Sequence, residues 1–205
     1  MIKPLRVVCF GDSITGPRPR EPYHHLFLKF SDLLGLMLEA RRGLGTVTVL
    51  NRGWAGQTSV EAYARFVGDV LDESPDIAIV LLGGNDAASL GPRHADTRNS
   101  LTAIFSGLHD ASVQTLALQY PILVNPANPE KAWRHLTANN ELIGELALQY
   151  GAEVLNMQNA MDEAATRIPL RELVSPEDGV HSAFGGEIVY ARALFARLTE
   201  LGWIH

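Results

Sequence analysis

Cysteine is almost missing from this chain. Cys9 is the only one in 205 residues, so no internal disulfide can form. Its setting, Arg6-Val7-Val8-Cys9-Phe10, reads as a buried strand, where a thiol serves as a small core hydrophobe. Long apolar runs are missing too. No segment approaches the ~20 apolar residues of a membrane span, so no stable membrane insertion is expected. The start, Met1-Ile2-Lys3-Pro4, runs directly into a strand without a signal-peptide pattern. These absences make the cytoplasm the expected location. Excess positive charge is also lacking. A net charge of -6 gives no reason to expect nucleic acid or an anionic membrane as a partner. No dense His, Cys and Asp set has metal-ligand spacing, so neither a metal nor another cofactor is expected. No internal repeat or flexible linker interrupts the chain. Its length fits one domain over residues 1–205, and 46% hydrophobic residues is ordinary for a globular protein. Nothing in the pattern signals an oligomeric state.

What is present is an alternation of short apolar runs and longer helical periods. Strands are expected at Leu5–Phe10, Thr46–Leu50, Ile77–Leu82, Thr115–Leu118 and Glu153–Leu155. Several lack polar alternation, as strands of a parallel sheet covered on both faces do. Helices are expected at Tyr23–Glu39, Ser59–Leu71, Thr97–Leu108, Trp133–Gln149 and Ala183–Leu201. In the second, Ser59, Ala62, Phe66, Val67 and Val70 form the apolar face, and Pro75 closes it before the next strand. The order βαβαβαβαβα predicts an α/β fold: one three-layer α/β/α unit around a mostly parallel, flavodoxin-like sheet of five strands. Ligands of such sheets bind beyond the carboxyl ends of the strands.

Polar clusters stand at those ends. Gly11-Asp12-Ser13 follows the first strand, Asn51-Arg52-Gly53-Trp54-Ala55-Gly56 the second, and Gly83-Gly84-Asn85-Asp86 the third. They therefore share one edge of the sheet. Ser13 can present a hydroxyl at a pocket floor, with backbone N–H groups aimed at a developing oxyanion. The same tripeptide also makes turns and helix caps. The Gly-x-Ser-x-Gly elbow of α/β-hydrolases is not there. Near the chain's end, Asp178-Gly179-Val180-His181 can place a carboxylate on Nδ1 and leave Nε2 for a serine. It can equally be a helix start with Asp178 as its cap. Asn85 can donate a side-chain amide to an oxyanion, or build an Asx turn. Gly56 can add a backbone N–H, with Gly53 competing for that role. Asp12 and Asp86 are candidate anchors of loop backbone. The other histidines are weaker: His24, His25 and His94 are candidates for a rim, and His109, His135 and His205 have no comparable carboxylate turn.

Taken together, the four clusters resemble the SGNH-hydrolase superfamily, the GDSL esterases and lipases. The resemblance spans residue 7 to about 195. It implies Ser13 as nucleophile, with Asp178 and His181 completing a triad. It implies Ser13, Gly56 and Asn85 as the oxyanion hole, Gly56 being the glycine just before Gln57-Thr58. Asn51 opens the second block, and with Asp12 and Asp86 supports the site. Where the family often has Pro after the histidine, this chain has Ser182, a residue suited to cap or begin the last helix. The implied activity is hydrolysis of carboxylic esters, with a small-molecule ester as partner. Arg18, Arg20, His24, Arg52, Trp54 and His94 form a candidate polar rim, and no long apolar lid is apparent. Both favour a short-acyl or acetyl ester of a polar, carbohydrate-like alcohol. The alternatives are a thioesterase or lysophospholipase, or a non-catalytic carbohydrate-binding protein.

Overall fold

The sheet is held from both sides. The structure is a computed structural model and describes residues 4–16, 28–89, 95–123, 135–175 and 178–205. Five strands, β1 (Leu5–Gly11), β2 (Val47–Gly53), β3 (Ile77–Leu81), β4 (Gln114–Gln119) and β5 (Glu153–Asn156), lie in the order β2-β1-β3-β4-β5. Every neighbouring pair is parallel, so the sheet expected to be mostly parallel is wholly so. The order is that of flavodoxin-like folds.

Alternate residues of each strand feed two separate cores. Val7 and Cys9 of β1, Ile77 and Ile79 of β3, and Leu116 and Leu118 of β4 face one of them. There they meet α1 (Phe30–Arg42), α6 (Met157–Ala165), α7 (Leu170–Leu173) and α8 (Phe184–Glu200). Val8 and Phe10, Ala78 and Val80, and Ala117 face the other. There they meet α2 (Ser59–Phe66), α4 (Ala95–Asp110) and α5 (Leu136–Gln149). Burial on both faces explains strands that show no polar alternation. Burial, with Asp32 adding to it, also pushes the Cys9 thiol up to about 12. The thiol stays protonated, as a core hydrophobe.

The elements differ from expectation mainly at their ends. β2 runs on to Gly53, because pairing with β1 continues through Gly11↔Gly53 after the apolar run has ended. Helix α1 starts at Phe30, where Asp32 Oδ2 accepts from the Lys29 N–H at 2.8 Å and caps the helix; residues 23–27 of the expected helix lie outside the described part. The expected helix over 59–71 is α2 followed by a π-turn, Val67–Leu71. Val67, placed on the apolar face by its spacing, is exposed, while Ser59, Ala62, Phe66 and Val70 are buried. Helix α5 begins at Leu136, and residues 133 and 134 lie outside the described part. Helices α3 (Gly84–Ser89), α6 and α7 were not expected. Thr58 and Glu61 cap α2 reciprocally, with the Thr58 N–H donating to Glu61 Oε2 at 2.8 Å. That box fixes the passage from β2 into α2, where Gly56 and Gln57 lie.

Candidate active site

The ends of β2, β1 and β3 stand level. Gly11 pairs with Gly53 on one side and Leu81 on the other. Ser13, Gly56 and Asn85 follow two, three and four residues beyond these positions, on three adjacent strands.

The Ser13 turn is tied down by the buried carboxylate of Asp12. Asp12 Oδ1 accepts from the Ile14 N–H at 2.9 Å, and Oδ2 from the Tyr120 hydroxyl at 2.6 Å. Burial pushes the Asp12 carboxyl above its ordinary value; the Tyr120 and Ile14 donors, and the charges of His181 and Lys29, pull against that without reversing it. Burial, and then the Asp12 charge, push the Tyr120 phenol well up, so Tyr120 is the donor of the pair. The same hydroxyl accepts from the Gly84 N–H at 3.3 Å, which joins the first turn to the third. Asn51 secures the far side. Its Nδ2 donates to Thr15 O and to Ser31 Oγ, both at 2.8 Å, and its Oδ1 accepts from the Gly53 N–H at 3.0 Å.

That last bond separates the surroundings of the two candidate glycines. The Gly53 N–H is occupied, and a Cβ on Gly53 would collide with the backbone of Gly16, so this glycine serves close packing. Gly56 instead sits at φ +78, a turn conformation that suits glycine. Among the described residues, the N–H groups of Gly56 and Ser13 have no hydrogen-bond partner.

Asn85 lies in the first turn of α3 and is half-buried. Its Nδ2 donates to Gln57 O at 2.9 Å, which uses one of two amide protons and turns the group toward the Gly56 turn. Asp86 is fully buried, and its Oδ2 accepts from the N–H of Ser59, the first residue of α2, at 2.7 Å. Its other oxygen accepts from the hydroxyls of Ser59 and Thr97.

Asp178 and His181 form a turn of their own. Asp178 Oδ1 accepts from the N–H groups of Val180 at 2.9 Å and His181 at 3.0 Å, while Oδ2 faces His181 Nδ1 at 2.8 Å. Partial burial pushes this carboxyl up. The His181 ring and the two backbone donors outweigh that and hold it well below the usual carboxylate range. An ionised carboxylate can only accept, so Nδ1 carries the proton and Nε2 is the acceptor. Nε2 lies 2.8 Å from Ser13 Oγ. Ser13, His181 and Asp178, 168 residues apart at the extremes of the first pair, are thus one hydrogen-bonded chain. Such a chain can withdraw a serine proton.

Ser182 does not cap the last helix. It forms an antiparallel bridge with Val174, closed by Ser175 N–H to His181 O at 2.7 Å and Ala183 N–H to Leu173 O at 3.0 Å. Ala183 takes the cap position, without a side-chain bond. Neither bridge bond uses the Ser182 N–H, so a proline there would remove neither of them.

The candidate rim is reduced. Arg18, Arg20, His24, His25 and His94 lie outside the described residues, as do residues 124–134. Arg52 does not offer its charge there: its Nη2 is 2.6 Å from Glu73 Oε1, and Glu73 also binds Arg6 at 2.7 Å. Trp54 remains, 55% exposed, one residue past β2. Tyr120, Ser31, Ser59 and Thr97 were not singled out from the sequence. Tyr120 alone carried a signal, as the first residue after β4 on the binding edge of the sheet.

No helix among the described residues is long and apolar enough to cross a membrane. Among solved structures, an acetylxylan esterase from Geobacillus stearothermophilus superposes with a TM-score of 0.75, at 19% identity over 99% of this chain and 97% of that one. A lipase/acylhydrolase from Enterococcus faecalis gives 0.73, at 24% identity over 96% of each chain. At these identities the likeness is one of fold. A curated relative, the uncharacterized lipoprotein YqeF of Bacillus subtilis (strain 168), is 38% identical over 84 residues. That match covers 41% of this chain and 33% of the relative, so it spans only a third of that protein's length. The model of the GDSL-like lipase/acylhydrolase family matches residues 9–181, from β1 through the last of the four turns. The expected resemblance is met: this chain belongs to the GDSL-like lipase/acylhydrolase family.

Proposed function

We propose that this protein is a serine hydrolase that cleaves short-acyl esters of a polar, carbohydrate-like alcohol. The observation that carries the reading is the unbroken chain Asp178–His181–Ser13, with 2.8 Å at each link. His181 takes the Ser13 proton while Asp178 holds the ring. Ser13 Oγ attacks the ester carbonyl. The N–H groups of Ser13 and Gly56 and the second amide proton of Asn85 receive the oxyanion. His181 then protonates the leaving alcohol and activates water to release the acid. Asn85→Ala is expected to lower kcat by roughly 10²–10³-fold, the cost of one missing oxyanion donor.

One observation supports a sugar-like alcohol. Trp54 offers an exposed flat ring beside the Gly56 turn, suited to stack on a sugar. The fold shared with an acetylxylan esterase fits the same substrate class. Each CH₂ buried in a fitting tunnel would add about 0.8 kcal/mol of binding. The test is kcat/KM across C2, C4, C8 and C12 p-nitrophenyl esters, beside acetylated xylan and an acyl-CoA. An optimum at C2 is expected. A steady rise toward C12, or a preference for acyl-CoA, would move the assignment to a lysophospholipase or a thioesterase.

The proposal places the protein in the cytoplasm, where one buried, unreactive cysteine is at home. Fractionation of the native host tests this, and recovery with the envelope would overturn it. A net charge of -6 gives no reason to expect nucleic acid as a partner.

A further inference from the structure

Arg65, on the last turn of α2, binds four different partners. Its Nε donates to Gln57 Oε1 at 2.6 Å. Its Nη1 donates to Arg52 O at 2.9 Å and to Asp69 Oδ2 at 2.6 Å. Its Nη2 donates to Gly11 O at 3.2 Å. Four of the five donors of a guanidinium are thereby used. The group also lies 4.5 Å from the centroid of the Phe10 ring and 5.5 Å from that of Trp54, and the side chain is only 14% exposed. The Asp69 contact is an ordinary pair one helical turn on. The other three are not local.

Gly11 is the last residue of β1, two before Ser13, and Arg52 is the penultimate residue of β2. Gln57 directly follows Gly56, and its backbone O accepts the amide of Asn85 at 2.9 Å. One planar cation therefore meets the ends of two strands and the turn on which two of the three oxyanion donors depend. A lysine presents a single point of charge and cannot span these acceptors. Strong preorganisation of that kind matters most when charge develops, because donors already in place need no reorganisation during the reaction.

We propose that Arg65 is a positioning residue of the oxyanion site: it locks the ends of β1 and β2 to the Gly56–Gln57 turn and, through Gln57, aims the Asn85 amide. The proposal rests on the serine-hydrolase reading above. Arg65 does not touch the substrate. Its loss acts on kcat and leaves KM nearly unchanged.

The experiment is a kinetic cycle on the full chain with the best p-nitrophenyl ester, comparing Arg65→Lys, Asn85→Ala and the double variant. Arg65→Lys is expected to lower kcat about 10–100-fold and to move KM by less than about 3-fold, the pattern of an interaction realised in the transition state. The double variant is expected to lose less than the product of the two single losses, since both act on one donor. A purely structural arginine would lower the melting temperature and give multiplicative losses. A folded Arg65→Lys with wild-type kcat, or multiplicative losses in the cycle, overturns the proposal. Where Arg65→Lys does not fold, Gln57→Ala decides: a fall in kcat at constant KM supports the lock, and an unchanged kcat overturns it. Labelling of wild type by a serine-directed phosphonate runs in parallel. If wild type is not labelled, or Ser13→Ala still turns over, the serine-hydrolase reading itself fails. If wild type labels and Ser13→Ala is inert, the cycle judges Arg65 alone.

Discussion

Two turns carry the proposed nucleophile and the proposed base, and they are built in opposite ways. The Ser13 turn is held from far away. Asp12 takes its bond from Tyr120, 108 residues on, and Thr15 O takes one from Asn51, 36 residues on. The Asp178–His181 turn is held from within: its carboxylate binds the N–H groups two and three residues ahead and the ring three residues ahead. The carboxylates diverge accordingly. Asp12 is 3% exposed and burial raises its pKa, while Asp178 keeps a side chain 36% exposed and its donors lower its pKa. A buried carboxylate with distant partners fixes the proposed nucleophile to the sheet. A half-exposed one with local partners makes a preassembled base that the bridge to Val174 presents to it.

Breaking the one bond that joins the turns has the largest expected effect. Ser13→Ala should lower kcat by about 10⁶-fold, the loss found when a triad serine is removed, with the circular dichroism spectrum unchanged. Retention of most of the rate would refute the serine mechanism. Next comes the local turn. Asp178→Asn keeps an acceptor for the backbone donors but turns the ring to the wrong tautomer, and kcat should fall by about 10⁴-fold. A loss below tenfold would mean that Asp178 only shapes the turn.

The distant anchor is tested through stability. Tyr120→Phe removes the donor to Asp12 Oδ2 and leaves a buried carboxylate short of a partner, at a cost of about 1–3 kcal/mol in chemical denaturation. An unchanged denaturation midpoint would show that Asp12 does not need Tyr120. The smallest effect is a difference of slopes with pH. The lowered Asp178 binds fewer protons folded than unfolded, so its contribution is present above about pH 4 and is lost as the pH falls further. The raised Asp12 binds more protons folded, so its contribution declines as the pH rises from about 4. Melting curves of wild type against Asp178→Asn and Asp12→Asn should therefore diverge in opposite directions. Slopes of the same sign would erase the distinction between the turns.

The local turn was legible in the sequence for the reason that it is local. Asp178, Gly179 and His181 carry their own geometry within four residues, and Gly179 has the positive φ of 70° that the turn needs. The strand ends were legible too, because each polar cluster follows an apolar run closely enough to mark one. Asn51, Asp12 and Asp86 could be named as supports, but their partners could not. Ser31, Ser59 and Thr97 come to the site through the fold, and nothing in their own sequence neighbourhoods distinguishes them; Tyr120 had only its place directly after β4. Arg65 was not singled out within the helix expected over 59–71. Arg52 read as a rim residue, because its ion pair with Glu73 depends on where the π-turn returns the chain. Helix α3 was hidden behind Gly83-Gly84, which suggests a turn; the helix begins at the second of those glycines.

Covalent labelling tests the central claim most directly. Wild-type protein is treated with a p-nitrophenyl phosphonate, and its intact mass and digested peptides are measured beside Ser13→Ala and Asp178→Asn. One adduct per chain is expected, on the peptide carrying Ser13, formed much more slowly in Asp178→Asn and not at all in Ser13→Ala. An active wild-type protein that takes no adduct, or takes it on another residue, would contradict the account.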